Sequence, residues 1–274
     1  HLHPHLQVLL LRHLTKVVAE EGGNEVQVIA SSHSPILTSQ APIDSMVSVH
    51  ECDGKVCAVS VYSIDMEGKL KKKLQRFLDA TRGELFFARR ILMVEGIAEA
   101  LLLPVFAKLA GGSLKESAVT VLNADGINFN AFLPLFGEKR LGFPVAVLTD
   151  GDAAKIGNPP SPTATGLKAK EADIPNLRVE YSEITFEHEL ARSAGILPLM
   201  LEAFEIMHPV TGKSLKVMVD KLDPDDKKAD AFLTAFIQSR TSKGRFAQEL
   251  AALLETSSLQ AETVPNYILA ALRF

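Results

Sequence analysis

The chain has 274 residues, 47% of them hydrophobic and 23% charged, with a formal net charge of −4. That length holds one large domain or two ordinary ones, and that balance excludes a wholly disordered chain and a uniformly basic nucleic-acid binder, so any nucleic-acid contact must come from local patches. Two cysteines, Cys52 and Cys57, are too few for a disulfide framework or a zinc site and fit a reducing, cytoplasmic setting; no apolar run is long enough to cross a membrane, and no signal peptide opens the chain.

The opening His1-Leu-His-Pro-His5-Leu-Gln has histidines at alternate positions. It reads as a capping turn before a helix, since no acid or thiol lies nearby to complete a metal site. Apolar residues recur at helical spacing over residues 6–20, and Gly22-Gly23-Asn24 stops that helix. Gln27-Val-Ile-Ala-Ser-Ser-His33-Ser-Pro35 reads as a buried strand entering a polar loop that carries His33. These two stretches resemble the segment after the Walker B acids, and the switch-histidine strand and loop, of ABC-type ATPases. The resemblance implies that residues 1–82 are the tail of such a domain and that His33 is the remnant of its ATP-site switch. No G-x-x-x-x-G-K-[ST] phosphate loop is present. The chain, which opens without Met, is therefore expected to be a fragment whose missing N-terminal ATPase domain is its partner, and not to hydrolyse ATP itself.

Residues 46–64 alternate as a strand pair around an Asp53-Gly54 turn. Residues 66–78 follow as a basic helix with Lys69, Lys71, Lys72, Lys73 and Arg76. A solvated helix face and a phosphate-contact surface explain that helix equally well. Arg89 and Arg90, just before an acidic strand, favour the second, which makes Lys72, Lys73, Arg89 and Arg90 candidate DNA contacts.

The chain is organised around Ile91-Leu-Met-Val-Glu95-Gly96-Ile-Ala-Glu99. A short apolar strand ends here in two carboxylates, and a helix follows to Leu109, interrupted or kinked at Pro104. Residues 119–122 form a second strand, ending at Asn123-Ala-Asp125-Gly126, and residues 130–136 a short helix. Residues 145–148 form a third strand, ending in Thr149-Asp150-Gly151-Asp152, and residues 178–182 a fourth, before Glu183, Glu187 and Glu189. Strands alternating with helices predict a parallel sheet, α/β in class, with every acid on its carboxyl edge. Acids so crowded repel one another unless a cation sits among them. Magnesium takes oxygen ligands and could be held by Glu95, Glu99, Asp150 and Asp152; such a metal activates water and polarises a phosphodiester, and a pair of metals clamps both reacting oxygens. Glu95 is either a ligand or a general acid/base.

Strand-Glu-Gly-x-x-Glu followed, 55 residues on, by strand-Asp-x-Asp resembles the Toprim domain, a Rossmann-like parallel sheet flanked by helices. Together with the ATPase-like leader, the chain resembles the OLD (overcoming lysogenization defect) nucleases. The matching stretches are residues 91–104, 123–129, 148–152 and 185–190, and more weakly Ser242-Lys243-Gly244-Arg245-Phe246-Ala247. That resemblance implies a Toprim domain over 83–192, a helical subdomain over 193–274, and metal-dependent DNA cleavage using two Mg²⁺ or Mn²⁺ ions, with Ca²⁺ as a non-catalytic substitute. It adds Glu187 and Ser182 to the metal acids, makes Lys243 a catalytic cation beside Glu95, and implies DNA as partner and a homodimer through the ATPase portion. Ala153-Ala154 stands where primases and topoisomerases carry a third aspartate, and Tyr62, Tyr181 and Tyr267 lack a nucleophile's context, which favours hydrolysis. A primase-like nucleotidyl transferase and a non-catalytic metal-binding docking module are the alternatives. The Pro/Ser/Thr-rich loop 157–166 is expected to be mobile, and helices are expected over 198–207, 215–222, 229–240, 245–256 and 265–274.

Overall fold

The structure, a computed structural model, describes residues 3–20, 27–52, 54–79 and 82–274. The predicted helix stop at Gly22-Gly23-Asn24, Asp53 of the hairpin turn, and the first two residues of the opening motif lie outside them. The chain divides into two units, His1–Arg89 with Asn130–Phe143, and Arg90–Phe129 with Pro144–Phe274. No described helix is long and apolar enough to cross a membrane.

The first unit opens with helices α1 (Pro4–Glu20) and α2 (Pro35–Gln40). Ser34 caps α2 by accepting from the Leu37 amide, and Pro35 supplies its preset φ at the first helical position. Between them, residues 27–34 are not the expected buried strand; they are irregular and mostly exposed, with Ile29 87% exposed. A β-branched run becomes a strand only beside a partner that completes its ladder, and no described strand pairs with this one. Strands β1 (Val47–Cys52) and β2 (Lys55–Ser60) form the predicted antiparallel hairpin, with Val49 opposite Ala58. Helix α3 (Gly68–Phe77) is the basic helix, anchored through the buried Leu74. Where one helix was expected over residues 130–136, the stretch Asn130–Phe143 begins within one short 3₁₀ turn, Asn128–Ala131, and contains a second, Leu133–Leu135. Its aromatics complete this unit's core: Phe132 packs against Phe77, and Phe143 against Phe136 and His50.

The second unit is built on four parallel strands, β3 (Arg90–Val94), β4 (Val119–Asn123), β5 (Val145–Thr149) and β6 (Leu177–Tyr181), in the order β4-β3-β5-β6. Strands β3 and β5 are central and buried on both faces, which is why their sequences are continuous apolar runs. Helix α4 (Ile97–Leu109) follows β3 and does not break at Pro104; its apolar residues Leu102, Leu103, Val105 and Phe106 are buried and hold the turn in place. Helix α5 (Pro162–Ala169) occupies half of the stretch expected to be a mobile loop. Ser161 accepts from the Ala164 amide and Pro162 starts the helix, a cap that outweighs the loop-like composition. The remaining helices are α6 (Phe186–Arg192), α7 (Leu197–Met207), α8 (Pro209–Val219), α9 (Asp225–Gln238), α10 (Lys243–Thr256) and α11 (Asn266–Arg273). Leu92, Val94, Ala146 and Leu148 from one sheet face join Phe106, Phe186, Phe204, Phe232 and Phe246 in a single core. The C-terminal helices and the sheet are thus packed as one body, and that packing fixes what stands over the carboxyl edge.

Candidate metal centre

Two crossovers place the acids. The β3 ladder ends at Val94, whose carbonyl accepts from the Ala124 amide, and the Glu95 carbonyl accepts from the Gly126 amide at 2.7 Å. These bonds from the end of β4 hold the Glu95 backbone where the strand stops. The Glu95 Oε1 then accepts from the Asp150 amide at 2.9 Å and from the Thr149 hydroxyl in a short contact. Oε1 is therefore occupied, and Oε2 has no hydrogen bond among the described residues.

Asp150 leaves the end of β5 and turns inward. Its Oδ1 accepts from the Phe186 amide, in the first turn of α6, at 2.7 Å, and from the Ser182 hydroxyl at 3.4 Å. Ser182 is 1% exposed and its Oγ also accepts from the Gly151 amide. Between the aspartates, Gly151 is obligatory. A Cβ there would lie 2.0 Å from the Ser182 carbonyl oxygen and 2.7 Å from that of Glu183, both backbone atoms. Asp152 adopts φ of 50°, a left-handed conformation that aspartate tolerates better than most residues. Its amide bonds the Ile184 carbonyl, and its side chain is exposed.

Glu99, in the first turn of α4, and Glu187, in the first turn of α6, are 7% and 3% exposed. Helix N-termini favour acids at such positions. The Glu187 Oε1 meets the Lys243 ammonium at 2.9 Å. Lys243 opens α10, where a cation opposes the helix dipole, and the buried carboxylate of Glu187 is what holds it there. Gly244 lets that helix start close in, since a Cβ on it would come within 3.2 Å of Ile97 at the start of α4.

The electrostatics follow from this crowding. Asp150 is pushed up to about 8, by burial first and then by the charges of Glu95, Glu187 and Glu99, with Lys243 pulling it back. Glu99 is raised as well, chiefly by burial, with Glu187 and Glu95 adding to it. Burial works against the Lys243 charge, but Glu187, Asp150 and Glu99 outweigh it and its pKa is raised. The site is a negative cluster with one ammonium inside its field. Its donors are all oxygen, which fits a hard divalent cation. Among the described residues no three acidic, histidine or cysteine side chains converge closely enough to hold a metal ion, and Lys243 is the cation that pairs with the buried Glu187.

The structure thus brings together Glu95, Glu99, Asp150, Ser182, Glu187 and Lys243, and leaves Asp152 exposed at the rim. Thr149 joins them. It was missed because a β-branched residue at the end of a strand reads as core. Arg90 opens β3, roughly 16 Å from Glu95 at about 3.3 Å per residue, so it belongs to the opposite edge of the sheet. Arg89 and Lys72 are exposed, Lys73 lies 5.7 Å from the Phe77 ring, and Lys71 pairs with Asp44. His33 is exposed, its ring 6.1 Å from that of Phe87.

Residues 86–152, which span β3 to Asp152, match the family model for the TOPRIM domain of overcoming lysogenization defect protein-like proteins. The chain carries an OLD-like TOPRIM domain. Two solved structures agree. The C-terminal region of the Burkholderia pseudomallei OLD protein is 29% identical, with 68% of this chain and 96% of that one covered and a TM-score of 0.50. The C-terminal region of the Xanthomonas campestris pv. campestris OLD protein is 28% identical, with 69% and 94% covered and a TM-score of 0.50. None of the curated proteins compared with the chain matches it. The TOPRIM sheet accounts for the placement of Glu95 and Asp150 on adjacent central strands, where their loops meet.

Proposed function

We propose that this chain is the nuclease part of an ATPase–nuclease protein and that it hydrolyses DNA phosphodiester bonds with divalent metal. The observation that carries this reading is the meeting of Glu95, Glu99, Asp150 and Glu187 with Lys243 at one edge of an OLD-like TOPRIM sheet. TOPRIM domains generally bind divalent metals. Mg²⁺ or Mn²⁺, as two ions, would be held by Glu99, Asp150, Glu187 and Asp152, with Ser182 beside them, and Ca²⁺ would occupy the site without turnover. When bound, such metal polarises the phosphodiester and activates water.

The chain's own residues supply the rest. Thr149 and the Asp150 amide fix Glu95 through Oε1, which leaves Oε2 to take a proton or an ion. Phe186 and Ser182 fix Asp150 through Oδ1 in the same way. Lys243, released from Glu187 once other cations neutralise the acids, is the group to meet charge developing on phosphate. Exposed Lys72 and Arg89 are surface cations for the DNA backbone. The ATPase domain of the same protein would deliver the DNA and supply the dimer contact.

Mg²⁺- or Mn²⁺-dependent nicking of supercoiled plasmid by the purified chain, abolished by Asp150→Ala, is the expected result. Nicking that survives that substitution unchanged would refute the assignment.

A further inference from the structure

A cleft of about 770 Å³ reaches the acid centre at Ser182 and is lined in part by Glu183, Glu189, Arg192, Asp226 and Tyr267. The Arg192 guanidinium is committed to neighbours there, donating to Asp226 at 2.8 Å, Glu189 at 2.9 Å and Glu183 at 3.3 Å. Tyr267 is different. Its helix α11 packs on β5, β6 and α4 and runs against the strands. The last turn lies with Arg90 and Pro144 at the amino edge, and Tyr267, in the first turn, lies with Tyr181 and Ser182 at the carboxyl edge. The Tyr267 hydroxyl oxygen is enclosed and has no hydrogen-bond partner among the described residues. Burial, and after it the charges of Asp150, Glu189, Glu99 and Glu187, keep the phenol neutral. A neutral O–H, able to donate and accept, therefore stands within the field of the acid centre with both capacities unused. A phenylalanine would fill the same space without the cost of an unpaired buried hydroxyl.

We propose that Tyr267 is a positioning residue of the acid centre, its hydroxyl hydrogen-bonding an oxygen of the hydration shell that a divalent cation brings with it. This rests on reading the acids as a metal centre. Magnesium and manganese keep waters when held by few carboxylates, and groups that hold such outer oxygens orient the whole assembly.

Wild type, Tyr267→Phe and, as a surface control, Tyr62→Phe, which alters a residue 71% exposed, are titrated with Mn²⁺ and free Mn²⁺ is read by electron paramagnetic resonance; the same proteins are melted in EDTA. Tyr267→Phe is expected to melt in EDTA at or above wild type while its Mn²⁺ Kd rises about tenfold. Tyr62→Phe should match wild type in both. Equal Mn²⁺ affinity of wild type and Tyr267→Phe would overturn the inference alone. So would weaker Mn²⁺ binding coupled to a lower melting temperature in EDTA, which marks a packing role. A wild type that binds no Mn²⁺ would overturn the metal centre, and the inference with it.

Discussion

Above about pH 8, Asp150→Asn removes one charge from the acid cluster and almost nothing else. Asparagine keeps an Oδ1 that can accept from the Phe186 amide and from Ser182. In the metal-free protein, folding lifts the aspartate from its ordinary 3.8 to about 8, through burial and the neighbouring carboxylates. A carboxyl whose pKa rises on folding holds its proton more tightly folded than unfolded. Its effect on stability is therefore least harmful below the unfolded value, grows as pH climbs from about 4 to about 8, and is level above that. At about 1.36 kcal/mol per pH unit the full span is roughly 5–6 kcal/mol. Partial solvent access and an effective dielectric near 20 reduce it to about 2–3 kcal/mol. Asp150→Asn should thus be more stable than wild type by about 2–3 kcal/mol at pH 9 in EDTA, and by about 1 kcal/mol or less at pH 5. Urea denaturation followed by circular dichroism at the two pH values reads the difference. Saturating Mn²⁺ should reverse the order, stabilising wild type and leaving the variant nearly unchanged. A difference that does not depend on pH, or a variant less stable than wild type at pH 9 in EDTA, would refute the account of a strained acid cluster.

Gly151→Ala drives a Cβ into two backbone carbonyl oxygens that cannot move aside, so a loss of about 3 kcal/mol or more in urea stability is expected at every pH. Lys243→Met strips the counter-ion from the buried Glu187 and should lose about 1–2 kcal/mol at pH 8 in EDTA, measured by the same denaturation. Millimolar Mg²⁺ should restore most of that loss, because it replaces the missing positive charge.

Much of the second unit was legible because its signals are local. Apolar runs of strand length, each ending in an acid or glycine, gave all four strands to within a residue or two. Parallel order followed from the helices between them, and with it the shared edge for Glu95 and Asp150. What failed depended on partners distant in sequence. Residues 27–34 have a strand's composition and no described strand to pair with. The excursion Asn130–Phe143 reads as one helix from its local pattern, yet its phenylalanines pack within the first unit and the chain there takes short 3₁₀ turns.

The same distinction explains the site residues. Glu95, Glu99, Asp150 and Asp152 announce themselves through charge at strand ends. Thr149 and Tyr267 do not, because each has a side chain that strands or helices bury routinely, and only the structure shows where the hydroxyl goes. Thr149 spends its hydroxyl on Glu95, while Tyr267 keeps its own unspent beside the same acids. Lys243 lies between these cases. A cation at a helix start was a visible anomaly, and its resolution needed Glu187, 56 positions earlier, brought opposite by the packing of α6 and α10 around one core. The acids that lift Asp150 to about 8 are the same groups that hold Lys243 in place. If the acids hold a divalent cation as proposed, a cation that relieves the first would loosen the second, and metal entry and release of the lysine would be one electrostatic event.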